Sequence, residues 1–226
     1  MSVVHIPLRS LTNIDDLFLS EIFPENVFDL LGDSLNTWLH NLLDRLDVPS
    51  EGLILGDVSE AAHISGRVYI DPTATVEPTA MIQGPTYIGP HACVRHGAYI
   101  RGGVYLGQNA TLGHSSEAKG SVLLDRASAA HFAYVGNSII GQQCNLGAGT
   151  RLANLRLKKD TVPFTHPKTK VRHPSGLRKF GAILADRSQT GCNSVLSPGT
   201  ILMQDTGVYP CVHYHGTLIS GWIKNS

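Results

Sequence analysis

Long apolar runs are missing from this chain. No stretch approaches the eighteen or so consecutive apolar residues that a membrane-spanning helix needs, and the start, MSVVHIPLRS, lacks the charged segment and apolar run of a signal peptide. Cysteine is limited to Cys93, Cys144, Cys192 and Cys211, with no CxxC pair, so a reducing cytoplasm is the expected setting. Net charge is missing too: 18 Lys plus Arg balance 18 Asp plus Glu. No global field therefore recruits nucleic acid or an anionic membrane, and any anion must be held by a local cluster. Charge as a whole is sparse, 16% of 226 residues against 42% hydrophobic, the balance of a chain that buries a sizeable core.

What is present is a beat of six. Stepping from Ile64 through Ile70, Val76, Ile82, Ile88, Val94, Ile100, Leu106, Leu112 and Ala118 to Leu124, ten of eleven residues are Ile, Leu or Val. Four places later in each hexad, from Val68 and Ala74 to Val122 and Ser128, the residue is small or β-branched. One bulky and one small inward position per six residues describe short flat strands joined by tight corners, which neither a helical nor a simple strand period produces. The expected architecture is an all-β solenoid, a parallel β-helix of hexapeptide repeats with three hexads per coil, running from residue 64 to about 202. The beat breaks after Leu124 and resumes at Ile140, which predicts an outward bulge at AAHFAYVGNS. It breaks again over a basic loop, 153–183, that carries eight Lys or Arg against Asp160.

Residues 1–50 are expected to form an α-helical N-terminal cap ahead of a β-helix spanning 51–226. Ile14, Leu17, Phe18 and Ile22 follow helical spacing, as do Leu35, Trp38, Leu39, Leu42, Leu43 and Leu46, with Ser34 as N-cap. Two short helices covering the open first coil would account for them, and docking to another protein is the other reading. After Leu202 the tail keeps strand-like residues without the beat and reads as closing strands.

Three hexads per coil stack residues eighteen apart at about 4.8 Å. Arg101 and Lys119 should then stand on adjacent coils, a repulsive pair that a phosphate would relieve or that splays into solvent. His131 falls in the broken segment, three residues before Tyr134 and one coil after Glu117. A neutral imidazole is the usual proton acceptor near neutral pH, and a carboxylate would orient it; a structural histidine is the plainer reading. His96 and His114 also stack, which raises a zinc site, though two ligands are too few and exposed rungs suffice.

The run from His114 to Leu157, HSSEAKGSVLLDRASAAHFAYVGNSIIGQQCNLGAGTRLANLRL, resembles the acetyltransferase domain of the bifunctional glucosamine-1-phosphate N-acetyltransferase and N-acetylglucosamine-1-phosphate uridylyltransferase family, its archaeal-type sugar-1-phosphate members above all. The family's arginine, VExK, HxxYxG, NxGAGT and following asparagine correspond to Arg101, Glu117 with Lys119, His131 with Tyr134, Asn145 and Asn154. The resemblance implies a left-handed β-helix, a homotrimer with sites between subunits, and acetyl transfer from acetyl-CoA to an aminosugar 1-phosphate, glucosamine 1-phosphate first. Arg101 and Lys119 would hold the phosphate, Tyr134 and Asn145 the sugar, and Asn154 would sit near the acetyl group. His131 would be the general base, with Glu117 beside it. Lys179 and Cys192 would contact the coenzyme, and no metal is implied.

Departures from the family are specific. The Gly-rich nucleotidyltransferase start is absent, so uridylyl transfer is not expected and a separate protein would supply it. Asn137 stands where an aspartate is common, NLRL replaces NYDG after Ala153, and Cys192 replaces a serine. Two other classes remain at this stage: a metal hydrase like the gamma-type carbonic anhydrases, using His91, His96, His114 and His131, and a non-catalytic scaffold.

Overall fold

The computed structural model describes residues 4–224, so the outermost residues of the two expected spans, 1–3 and 225–226, lie outside the described residues. From Leu53 to Ile223 the chain winds through short parallel strands that stack into three sheets of nine, nine and eight strands. We number the sheets in the order the chain meets them: sheet 1 begins at Leu53–Ile54, sheet 2 at Asp57–Val58 and sheet 3 at His63–Ser65. Each strand bonds to its counterpart one coil on, as Ile64 does opposite Ile82 and Ile82 opposite Ile100. The bulky and small positions of the hexads fill the interior as one continuous column of Ile, Leu, Val and Ala. The winding is the left-handed hexapeptide β-helix.

The break in the beat has a different cause from the one expected, and only its second half falls within AAHFAYVGNS. Early coils take eighteen residues, placing Gln83 beside Arg101 and Tyr99 beside Glu117. The next two take seventeen, pairing Val104 with Ser121, His114 with His131 and Glu117 with Tyr134, and the step of eighteen returns after the loop, as between Ala182 and Thr200. The difference is the corner from sheet 3 to sheet 1, which holds Gly102 and Gly103 in one coil and Gly120 alone in the next. Gly120 turns the chain with φ +55, where a Cβ would come within 2.6 Å of Asn137 Nδ2. Inward positions therefore move one residue earlier. Leu123 joins the interior, while Val122 and Leu124 face outward. His131 lies in regular register rather than in a bulge, and the shortened corners are those of Gly120 and, one coil on, Asn137.

The closing strands continue the same three sheets, with a shortened step only in the last coil. Val208 and Tyr214 keep the six-residue step from Leu202, and Gly207, His213 and Thr217 pair with Gln189, Val195 and Ile201. The last coil reaches Trp222–Ile223, paired with Gly207 and Val208.

The N-terminal segment is not an end cap. It contains one α-helix, α1 (Gly32–Arg45), preceded by four short 3-10 turns, and it lies along the outer face of sheet 1. That face explains the docking: its outward residues are Tyr69, Tyr87, Tyr105, Val122, Ile139, Ile183 and Ile201, an apolar strip that water would otherwise cover. Tyr69, Tyr87 and Tyr105 stack at 5.2 and 4.9 Å, and Phe23 and Trp38 close on Tyr105 at 5.5 and 5.4 Å. The segment around Ile14–Leu17 is not α-helical because the β-helix satisfies its backbone donors directly. Asp186 accepts from Asn13 N–H at 3.0 Å and Asp125 from Phe18 N–H at 2.9 Å. Ser34 falls inside the first turn of α1, whose N-cap position is Leu31.

Candidate active site

The corner between sheets 3 and 1 gathers most of the expected side chains. Tyr99–Arg101, Glu117–Lys119 and Tyr134–Gly136 are successive strands of sheet 3, so Lys119 stands one coil above Arg101. Glu117 Oε1 pairs with Arg101 Nη1 at 2.7 Å. Tyr134 Oη reaches Asn154 Oδ1 at 3.5 Å, and Asn154 Nδ2 donates to Asn137 Oδ1 at 2.7 Å. The basic loop returns here: Phe180 N–H bonds Asn154 O and Gly181 N–H bonds Asn137 O, both at 2.9 Å. Those two bonds set Lys179 at the same corner. A cavity of about 780 Å³ results, bordered by Arg101, Lys119, Asn137 and Lys179, with Asp33 and Asn36 of α1 on its far wall.

Other expected residues lie elsewhere in one chain. His131 ends the strand Ser128–His131 of sheet 2, is exposed, and occupies the corner leading into sheet 3. Glu117 is in register with Tyr134 and engaged with Arg101, whereas the register partner of His131 is His114. Asn145 projects from sheet 2, opposite Ser128. Cys192 is exposed on the His131 corner, two coils on, through the links Gly149 N–H to His131 O and Asn193 N–H to Ala148 O. Lys179 and Cys192 thus flank opposite edges of sheet 3. His96 and His114 do stack, ring centroids 4.0 Å apart, with Glu77 3.3 Å from His96 and the edge of Phe132 closing the column. Among the described residues no cluster of three or more His, Cys, Asp or Glu side chains could hold a metal.

The model of the GMPPB C-terminal domain matches residues 82–222, which takes in every one of these side chains from Arg101 to Cys192. The chain belongs to the GMPPB C-terminal domain family. Relatives within reach of this family domain include the bifunctional protein GlmU of Methanococcus vannielii, 40% identical over 77 residues that make up 34% of this chain and 18% of that protein. A bifunctional sugar-1-phosphate nucleotidylyltransferase/acetyltransferase from Sulfurisphaera tokodaii is 35% identical over 88 residues, 39% of this chain and 21% of its own. The chain thus spans about a fifth of the length of these curated relatives. Among solved structures, a hexapeptide transferase family protein from Anaplasma phagocytophilum shares 17% identity at a TM-score of 0.31, covering 71% of this chain and 74% of that one. Among the described residues no helix is long and apolar enough to cross a membrane.

Electrostatics at this corner favour an anion. The Lys119 ammonium is held below the ordinary lysine value of 10.5 by the charge of Lys179 first, then by burial, then by Arg101. Burial raises the Tyr134 hydroxyl, which stays a neutral donor. The free thiol of Cys144, by contrast, is buried and pushed up to about 12, so it offers no nucleophile. A phosphate seated among the three cations would restore the Lys119 pKa. Binding is therefore expected to take up protons as pH rises through the lowered pKa, and calorimetry in two buffers of unlike ionisation heat reads that uptake. Buffer-independent heats up to pH 10.5 would show that Lys119 does not face the anion.

The sequence draws attention to Lys119 but not to its setting. Asp33, Asn36 and Arg178 border the cavity without any local motif. Only the docking of α1 and the return of the loop bring them in.

Proposed function

We propose that this chain is an acetyl-CoA-dependent N-acetyltransferase acting on an aminosugar 1-phosphate, with glucosamine 1-phosphate as the first substrate to try. The observation that carries the reading is the trio Arg101, Lys119 and Lys179 beside the linked amides of Asn137 and Asn154. Three converging cations match a phosphomonoester dianion, and amides and a phenol suit sugar hydroxyls. The amine nitrogen attacks the thioester carbonyl and the C–S bond breaks. His131 accepts the amine proton and returns it to the departing thiolate, so no covalent enzyme intermediate forms. The assay is thiol release from acetyl-CoA dependent on glucosamine 1-phosphate. Release that is equal with and without the sugar phosphate sinks the reading.

A homotrimer belongs to the same proposal. In one chain His131 and Asn145 sit on the sheet 2 side while Arg101 and Lys119 sit on sheet 3. Sheet 1 is already covered by the N-terminal segment, which leaves sheets 2 and 3 to meet between copies. Mixing Lys119→Ala with Asn145→Ala chains, each inactive alone, should then regain about a quarter of wild-type activity, since one arrangement in four leaves a site intact at a cyclic interface. Mixed assemblies with no regain would place both residues on the same copy's site.

A further inference from the structure

Beyond Asn154 the chain leaves the β-helix and returns only at Ala182, building an excursion that carries an antiparallel hairpin, Pro163–Thr165 with Arg172–Pro174. One side of this excursion closes the phosphate corner. Its other side walls a second cavity of about 720 Å³, bordered by Arg156, Leu157, Lys158, Phe164, Arg172 and Pro198. Leu155 borders both cavities, so the two open onto either side of one residue.

The chemistry of the second cavity is unlike the first. Its lining includes no carboxylate, whereas Asp33 lines the first. Arg156 is braced by Asp160 at 3.2 Å and by Thr161 O, but the side chains of Lys158 and Arg172 are exposed and have no hydrogen-bond or ion-pair partner among the described residues. Between those cations stands Leu157, fully exposed at 102%, with Leu155 exposed beside it. Free cations call for phosphate, and bare leucines call for an apolar chain. One molecule joining several phosphates to a long, largely apolar arm meets both demands, and it is the acyl donor that the proposed reaction already requires.

We infer that the excursion is the acyl-donor clamp: the phosphorylated adenosine head of acyl-CoA lies on Arg156, Lys158 and Arg172, and the pantetheine arm runs over Leu157 and Leu155 toward the amine in the first cavity. The inference rests on the acyltransferase reading above. It sets the phosphates of the donor on an insertion in the coil rather than on the coil corner that bears Cys192. A nucleotide-linked sugar is a poorer occupant, because the second cavity offers no carboxylate for an amine and lies past the trio that holds the sugar phosphate.

The test is Lys158→Ala with Arg172→Ala in the full chain, two exposed positions without partners, so the fold should persist; circular dichroism and trimer size check that. Direct binding of CoA by calorimetry is expected to weaken about tenfold or more, with a shallower dependence on salt, because two charge-assisted contacts to phosphate are lost. In turnover the KM for acetyl-CoA should rise by a similar factor while the KM for the sugar phosphate stays put. Leu157→Asp should weaken CoA binding as well. A wild-type chain that binds no CoA, an unchanged CoA affinity in the double variant, or a rise confined to the sugar phosphate KM would each overturn the inference. CoA binding that depends on these residues in a chain that acetylates no aminosugar phosphate would leave the clamp standing and remove the substrate assigned above.

Discussion

His131→Ala is expected to lower kcat for acetyl transfer by about a hundredfold or more while the KM for the sugar phosphate moves less than about threefold, the pattern of a group that acts in the transition state. The geometry supports that split. His131 is exposed at the end of Ser128–His131, away from the Arg101, Lys119 and Lys179 trio that would carry ground-state affinity for the phosphate. Its backbone lies on the corner that leads to Cys192, one edge of sheet 3 away from the phosphate corner. Glu117 was the expected orienting carboxylate, yet its oxygen is taken by Arg101 at 2.7 Å. The two residues should then have separable phenotypes. Glu117→Gln loosens Arg101 and raises the KM for the sugar phosphate, whereas His131→Ala lowers kcat. If His131→Ala loses less than about tenfold, or Glu117→Gln lowers kcat as far as His131→Ala does, the imidazole is not the base.

The coil itself is legible because its signal is repeated and local: a bulky residue every six positions has only one way to face inward in a stack of flat strands. The phase of that beat is less so. Dropping one residue at Gly120 turns Val122 and Leu124 outward and Leu123 inward, yet all three are apolar, so composition alone does not reveal which faces the core. The same ambiguity hides the docking face. Tyr69, Tyr87 and Tyr105 recur every eighteen residues between inward neighbours, a signal that sheet 1 is covered, but a count of inward positions passes over them. Helical spacing in residues 14–22 misleads for a further reason. Asp125 and Asp186, more than a hundred residues away, supply acceptors for Phe18 and Asn13 that a helix would have supplied internally. Lys119 and its neighbours were findable by stacking, and Lys179 joins them only because the excursion returns through hydrogen bonds to Asn137 and Asn154.

Gly113→Ala is expected to destabilise the chain by more than about 4 kcal/mol, among the largest effects a single methyl group can have. Gly113 is buried in the strand Thr111–His114, between Leu112, which faces the core opposite Ala129, and His114, which lies opposite His131. A Cβ there would fall 1.8 Å from the carbonyl oxygen of Ala130 and 2.2 Å from its carbon, both backbone atoms of the next coil. No rotamer change relieves such a clash, because what stands in the way is the main chain, and that coil is held by hydrogen bonds from above and below. Relief requires the coil bearing His131 to move, which should cost catalysis even in molecules that remain folded. Gly176→Ala is the control, since its Cβ meets nothing within 4 Å while its φ of +77 still disfavours alanine. That change should cost only about 1 kcal/mol, the conformational part alone. Urea unfolding of both variants separates the two terms. A Gly113→Ala loss no larger than that of Gly176→Ala would mean that neighbouring coils slide apart cheaply, and the rigid stacking that positions His131 beside sheet 3 would have to be given up with it.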